Sequence, residues 1–169
     1  NAINMLNPGL IVLGGFLRNG YLHRAIREQG GAYGGGAAQD SVNGVFRFFS
    51  YRDPRLLETL DDFDAALNWL VNEDHEAQSL EEEILGVVSQ LDKPRSPAGE
   101  AKHAFHSRLF GRTREQQQRF RERVLAVTIA DLKRVAAEWL APERASTAVI
   151  SSPQHRETLE QAGLAIQEL

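Results

Sequence analysis

The sequence predicts an α+β fold, an antiparallel sheet with helices packed on one face, and three observations carry that prediction. Asn43-Gly44 separates two strand-like runs, amphipathic helical patterns fill most of the remaining chain, and Ala145–Ser151 is apolar and β-branched enough to form a third strand. Taking the elements in order, Asn7 offers a cap and Pro8 a first helical position, so a helix runs from there to about Gln29. Gly30-Gly31 supplies its stop. Leu10, Leu13, Phe16, Leu17, Leu22, Ala25 and Ile26 make its apolar stripe broad, as in a helix that packs against a sheet.

Ala32–Asp40 and Val45–Tyr51 then form an antiparallel hairpin across Ser41-Val42-Asn43-Gly44. In the second strand Phe46 and Phe48 face one side and Val45, Phe49 and Tyr51 the other, interrupted by Arg47, so both faces are expected to be largely buried. Asp53-Pro54 is expected to cap a helix carrying Leu56, Leu60, Phe63, Leu67 and Leu70. Ser79-Leu80-Glu81-Glu82 reads as a capping box opening the next helix, through Ile84, Val88 and Leu91. Ser96-Pro97 starts another, ending near Gly111, and Thr113 and Thr128 start two more. Three strands are few for so many helices. Either further strands escape the pattern, or their partners lie in sequence outside this chain.

With 169 residues the chain suffices for one compact domain, read as 1–169. A net charge of −4, from 19 basic and 23 acidic residues, gives no reason to expect a nucleic-acid or membrane partner. The arginines between Arg112 and Arg123 are interrupted by Glu115 and Glu122, the pattern of a solvated helix face. Without cysteine there is no disulfide, thiolate metal site or cysteine nucleophile. No apolar run reaches the roughly 20 residues that span a bilayer, and Leu10–Leu17 lacks the flanks of a signal peptide. The opening Asn1-Ala2, without methionine, reads as a processing scar.

Several constellations invite chemistry. Gly34-Gly35-Gly36 precedes a strand and no Gly-Lys-Ser/Thr follows, which excludes a phosphate loop. A strand so poor in side chains suits either a peptide adding by main-chain hydrogen bonds or a weakly specified edge. Arg27 could serve the helix dipole or present its fork of donors to peptide carbonyls. Tyr33 could be a core tyrosine or donate to a developing oxyanion. Glu100, His103 and His106 share a helix but lack a matching second set of ligands, so they read as surface residues. His75, among Glu73, Asp74 and Glu76, reads as a solvated loop residue. Ser50, Ser96 and Thr128 each have a turn or capping role, and none sits in a nucleophile elbow.

The runs IREQGGAYGGGAAQDS and FRFFSYRDPRLLETLDDFDAAL, with SLEEEILGVVSQLDKPRSPAGEA and TREQQQRFRERVLAVTIADLKRVAAEWL downstream, resemble the C-terminal domain of the presequence-protease branch of the insulinase/pitrilysin zinc metallopeptidases. The resemblance covers about Gly14 to Ser151 and is most specific at the Arg-x5-Tyr stretch. It implies a truncated domain whose family begins with additional strands. By position it gives Arg27 the task of holding substrate backbone and Tyr33 that of polarising the scissile carbonyl, with Gly30 and Gly31 shaping the turn between them. Family chemistry needs a His-x-x-Glu-His helix. Neither that motif nor its inverse occurs among His23, His75, His103, His106 and His155. The resemblance therefore implies zinc in the full-length enzyme and none held by this chain, which is not active alone. Its expected partners are an unstructured peptide and the N-terminal half of the same polypeptide, in bacterial cytoplasm or an organelle matrix. The alternative is a non-catalytic scaffold or peptide-binding domain of the same superfamily.

Overall fold

A computed structural model gives the fold and describes residues 7–40 and 43–167. The first helix, α1, spans Pro8–Leu17, with Pro8 at its start and the Asn7 side chain accepting the Gly9 amide. It continues without a break as a π-helix over Arg18–Gln29. The strands β1 (Gly34–Asp40) and β2 (Val45–Tyr51) pair antiparallel, with Gly34 opposite Tyr51 and Asp40 opposite Val45. Among the described residues six α-helices follow: α2 (Leu57–Asn72), α3 (Ala77–Leu91), α4 (Pro97–Leu109), α5 (Arg114–Leu125), α6 (Ile129–Trp139) and the short α7 (Arg156–Gln161).

The α1 helix is apolar on every side because it is covered on every side. It touches β1 and packs among α2, α3, α5 and α6, and Val12, Leu13 and Leu17 have no exposed surface. Ile84 and Val88 of α3, Phe120 and Val124 of α5, and Leu132 and Val135 of α6 complete the interior around it. Gly14 lets the helix approach the strand: a β-carbon there would stand 3.1 Å from the Ala38 α-carbon. The expected α+β arrangement is present, with the helices on one face of a two-stranded antiparallel sheet.

Local capping chemistry behaves as read at three helices. Ser96 accepts from the Gly99 amide, and Thr113 and Thr128 form reciprocal capping boxes with Gln116 and Asp131. Four expectations need correction. First, 145–151 form no strand; the segment has no ladder partner among the described residues, and Ile150 is 90% exposed. β-branched composition favours strands only where a neighbouring strand accepts the hydrogen bonds. Second, Ser79 does not open α3, which begins two residues earlier at Ala77, leaving the serine inside the first turn. Third, Asp53 does not cap α2; its carboxylate accepts from Ser50, Thr59 and the Arg55 amide instead. Fourth, β2 buries only one face. Phe46 and Phe48 pack inward, whereas Val45, Arg47, Phe49 and Tyr51 are exposed, with the Arg47 guanidinium over the Phe49 ring. The residues Asn1-Ala2 and Ser41-Val42 lie outside the described residues. At the described half of the turn, Asn43 donates to the Asp40 carboxylate and Gly44 adopts φ 68°.

Candidate functional site

The corner between the first helix and β1 is where chemistry-bearing residues gather. At the helix end, the carbonyls of Ile26 and Arg27 accept the amides of Ala32 and Gly31, both at 3.1 Å. Gly31 makes this possible by adopting φ 80°, in the left-handed region that favours glycine. Gly30 is buried for a different reason: the Arg55 guanidinium occupies the space its β-carbon would need. Past the corner, Ala32 is buried and Tyr33 turns outward, its amide donating to the Arg52 carbonyl at 3.2 Å. Gly31 thus supplies the left-handed step of the turn, while Gly30 leaves room for the Arg55 guanidinium.

Arg27 and Tyr33 are both exposed, Tyr33 to 67%. Arg27 is loosely held, Nη1 standing 3.5 Å from His23 Nε2. Because the guanidinium only donates, that nitrogen accepts, which leaves His23 Nδ1 as the donor to Glu28 at 3.3 Å. The Tyr33 hydroxyl has no hydrogen-bond partner among the described residues, so the core-tyrosine alternative is set aside. Its ring meets Tyr51 edge to face with centroids 6.1 Å apart. The Arg52 guanidinium lies over both rings, 5.7 Å from Tyr33 and 5.3 Å from Tyr51. Neither Tyr51 nor Arg52 was marked as functional by the sequence. Outward placement of Tyr51 was readable from strand alternation, whereas nothing in the residue order announces the Arg52 backbone, at φ 48°.

Behind this surface an ionic knot fixes the corner. Arg55 donates to Asp62 at 2.9 Å and to the Ala25 carbonyl at 3.3 Å, tying α2 to the last turn of the first helix. Asp53, its side chain only 8% exposed, accepts from Ser50 at 2.5 Å and Thr59 at 2.7 Å. Burial pushes this carboxyl up, but the hydrogen bonds from Ser50, Thr59 and the Arg55 amide, with the Arg55 charge, outweigh it and hold its pKa below the ordinary 3.8. A folded pKa below the unfolded one gives stability that is fully present above the unfolded value and is lost as pH falls through the folded one. Lowering pH from about 5 to about 3 is therefore expected to depress the urea midpoint more in the parent than in Asp53→Asn. Parallel pH profiles for the two would refute this account of the knot.

Elsewhere, a cleft of about 320 Å³ opens beside Phe16 and Trp69, rimmed by His75, Glu82 and Glu83. None of its lining residues belongs to the Arg27–Tyr33 corner. His75 is not a solvated loop residue. It packs edge-on against Trp69 at 4.5 Å and Phe16 at 5.3 Å, and Nε2 donates to the Leu70 carbonyl at 2.8 Å. His103 and His106 sit on α4, which buries none of its residues, and Glu100 faces Arg95 at 3.8 Å. No group of three His, Asp or Glu side chains among the described residues is arranged to hold a metal ion. The described residues thus do not fit a zinc site. No described helix is long and apolar enough to cross a membrane.

Comparison with known proteins gives the family of the chain. Residues 1–150 match the model of the PreP C-terminal domain. The mitochondrial presequence protease of Kluyveromyces lactis is 39% identical over 142 residues, 83% of this chain and 14% of that protein. The protein of the same name from Xenopus laevis is 42% identical over 120 residues, 71% of this chain and 11% of its own length. That from Saccharomyces cerevisiae is 38% identical over 142 residues, again 83% and 14%. The chain thus spans only a small part of the curated relatives it matches. It belongs to the PreP C-terminal domain family.

Proposed function

We propose that this chain is the C-terminal, substrate-binding part of a zinc metalloendopeptidase that degrades unstructured peptides, the zinc standing in an N-terminal half outside this chain. One observation carries the reading. A tyrosine hydroxyl without a partner and a loosely held arginine stand exposed on either side of a corner that buried residues hold fixed. Exposed, unspent donors on a rigid frame suit binding more than packing. Arg27 presents N–H donors to the carbonyls of an extended peptide, and Tyr33 donates to the oxygen on which charge develops as the peptide bond is attacked. The β1 strand begins immediately after Tyr33, and a β-carbon on Gly34 would meet nothing within 4 Å, so a peptide backbone can approach there. The zinc supplies the activated water when bound. Among the described residues, the corner binds and orients. The matched relatives are mitochondrial by name, and an organelle matrix or the bacterial cytoplasm is the proposed compartment.

The test uses the full-length protease carrying this segment, with a quenched fluorescent peptide. Arg27→Ala is expected to raise KM by about tenfold through lost charge-assisted hydrogen bonds. Tyr33→Phe is expected to lower kcat by about 10² through a lost oxyanion donor. Bound zinc should be unchanged in both. Wild-type turnover and KM in both variants would overturn the proposal.

A further inference from the structure

We propose that Arg52 is the positioning residue of this corner, holding the Tyr33 phenol in the direction in which it meets a peptide carbonyl. The inference rests on the reading of Tyr33 given above and adds a residue to it. Tyr33 is 67% exposed and follows a left-handed glycine corner, so its ring has few neighbours to limit its rotamers. Two groups do limit it: the edge of Tyr51 and the guanidinium of Arg52.

The backbone explains how Arg52 reaches them. Successive side chains of a strand point to opposite faces, so an extended Arg52 would point away from the face that carries Tyr51. At φ 48° the alternation breaks, and the guanidinium comes to lie over the Tyr51 and Tyr33 rings together. This conformation is unfavourable for any residue with a β-carbon, and a solvated surface arginine gains nothing from it. No carboxylate pairs with Arg52 among the described residues; the two rings are its side-chain partners. The Arg52 carbonyl also accepts the Tyr33 amide at 3.2 Å, so one residue holds both backbone and ring of the tyrosine. Aromatic faces attract a guanidinium through the ring quadrupole, which gives the clamp its direction.

The test again uses the full-length protease. Arg52→Gly relieves the backbone, so the melting temperature should stay level or rise. It removes the clamp, so kcat should fall about fivefold while KM stays within about twofold. Arg52→Lys, which keeps a cation over the rings, should recover most of the loss. In a Tyr33→Phe background, Arg52→Gly should have no further effect on kcat, because the hydroxyl it positions is gone. Retained kcat in Arg52→Gly, beside a lowered kcat in Tyr33→Phe, would overturn this inference and leave the reading of Tyr33 standing. The same would follow if the two losses multiplied. Full activity in Tyr33→Phe alone would overturn both.

Discussion

Leu13→Ala is expected to lower the free energy of unfolding by about 3 to 4 kcal/mol, a large share of what a single domain possesses. Leu13 has no exposed surface and lies midway along α1, the helix enclosed by β1 and by four other helices. The cost of such a truncation depends on whether neighbours can move into the space. Here they have little room. The α1 backbone at Gly14 is already in close approach to the strand at Ala37 and Ala38, and Val12 and Leu17 are sealed beside it. The cavity therefore persists and the loss does not fall to the low end of the usual range. Leu85→Ala is the control, on an exposed face of α3, and is expected to change stability by no more than about 0.5 kcal/mol. Urea unfolding of the two variants decides the matter; equal midpoints would contradict the central position of α1.

Gly30→Val is expected to cost about 3 kcal/mol, by overpacking and by breaking charge pairs at once. A β-carbon at this position would collide with the Arg55 guanidinium and stand 2.5 Å from the Ile26 carbonyl oxygen. A flexible side chain normally swings aside. Arg55 cannot do so freely, since it is held by Asp62 and the Ala25 carbonyl and lies against Asp53. Displacing it leaves two largely shielded carboxylates without their cation. A double-variant cycle isolates this mechanism: Gly30→Val on top of Arg55→Ala should cost less than the two single losses added together. Strict additivity would mean that the glycine is needed for the Ile26 carbonyl alone.

The contrast between what the residue order foretold and what it missed has a physical basis. Thr113, Thr128 and Ser96 were legible as helix starts because a cap is settled by its own side chain and an amide a few residues away. The double glycine was legible for a similar reason, since a left-handed turn is a local demand. Ser79 misled because a serine followed three residues later by glutamate also occurs inside a helix, where nothing uses the motif. The segment 145–151 misled because a strand is a property of pairs, and its composition says nothing of whether a partner lies alongside. Two features at the corner had no signal at all. One is the π-helical course of Arg18–Gln29, whose residues suit an ordinary helix equally well. The other is Arg52, which occupies a backbone region where glycine or asparagine would be expected. Arg27, Tyr33, Gly30 and Gly31 were singled out through their order; the residues that surround them came only from three dimensions.

The helix enclosed by the core runs unbroken to the exposed Arg27. Such an axle cannot slide or roll without disturbing every wall around it, so the arginine inherits its aim from leucines many residues away. Damage deep in the hydrocarbon would then surface as a misdirected arginine, and, under the proposed function, an assay of peptide grip would double as a gauge of how well the interior is assembled.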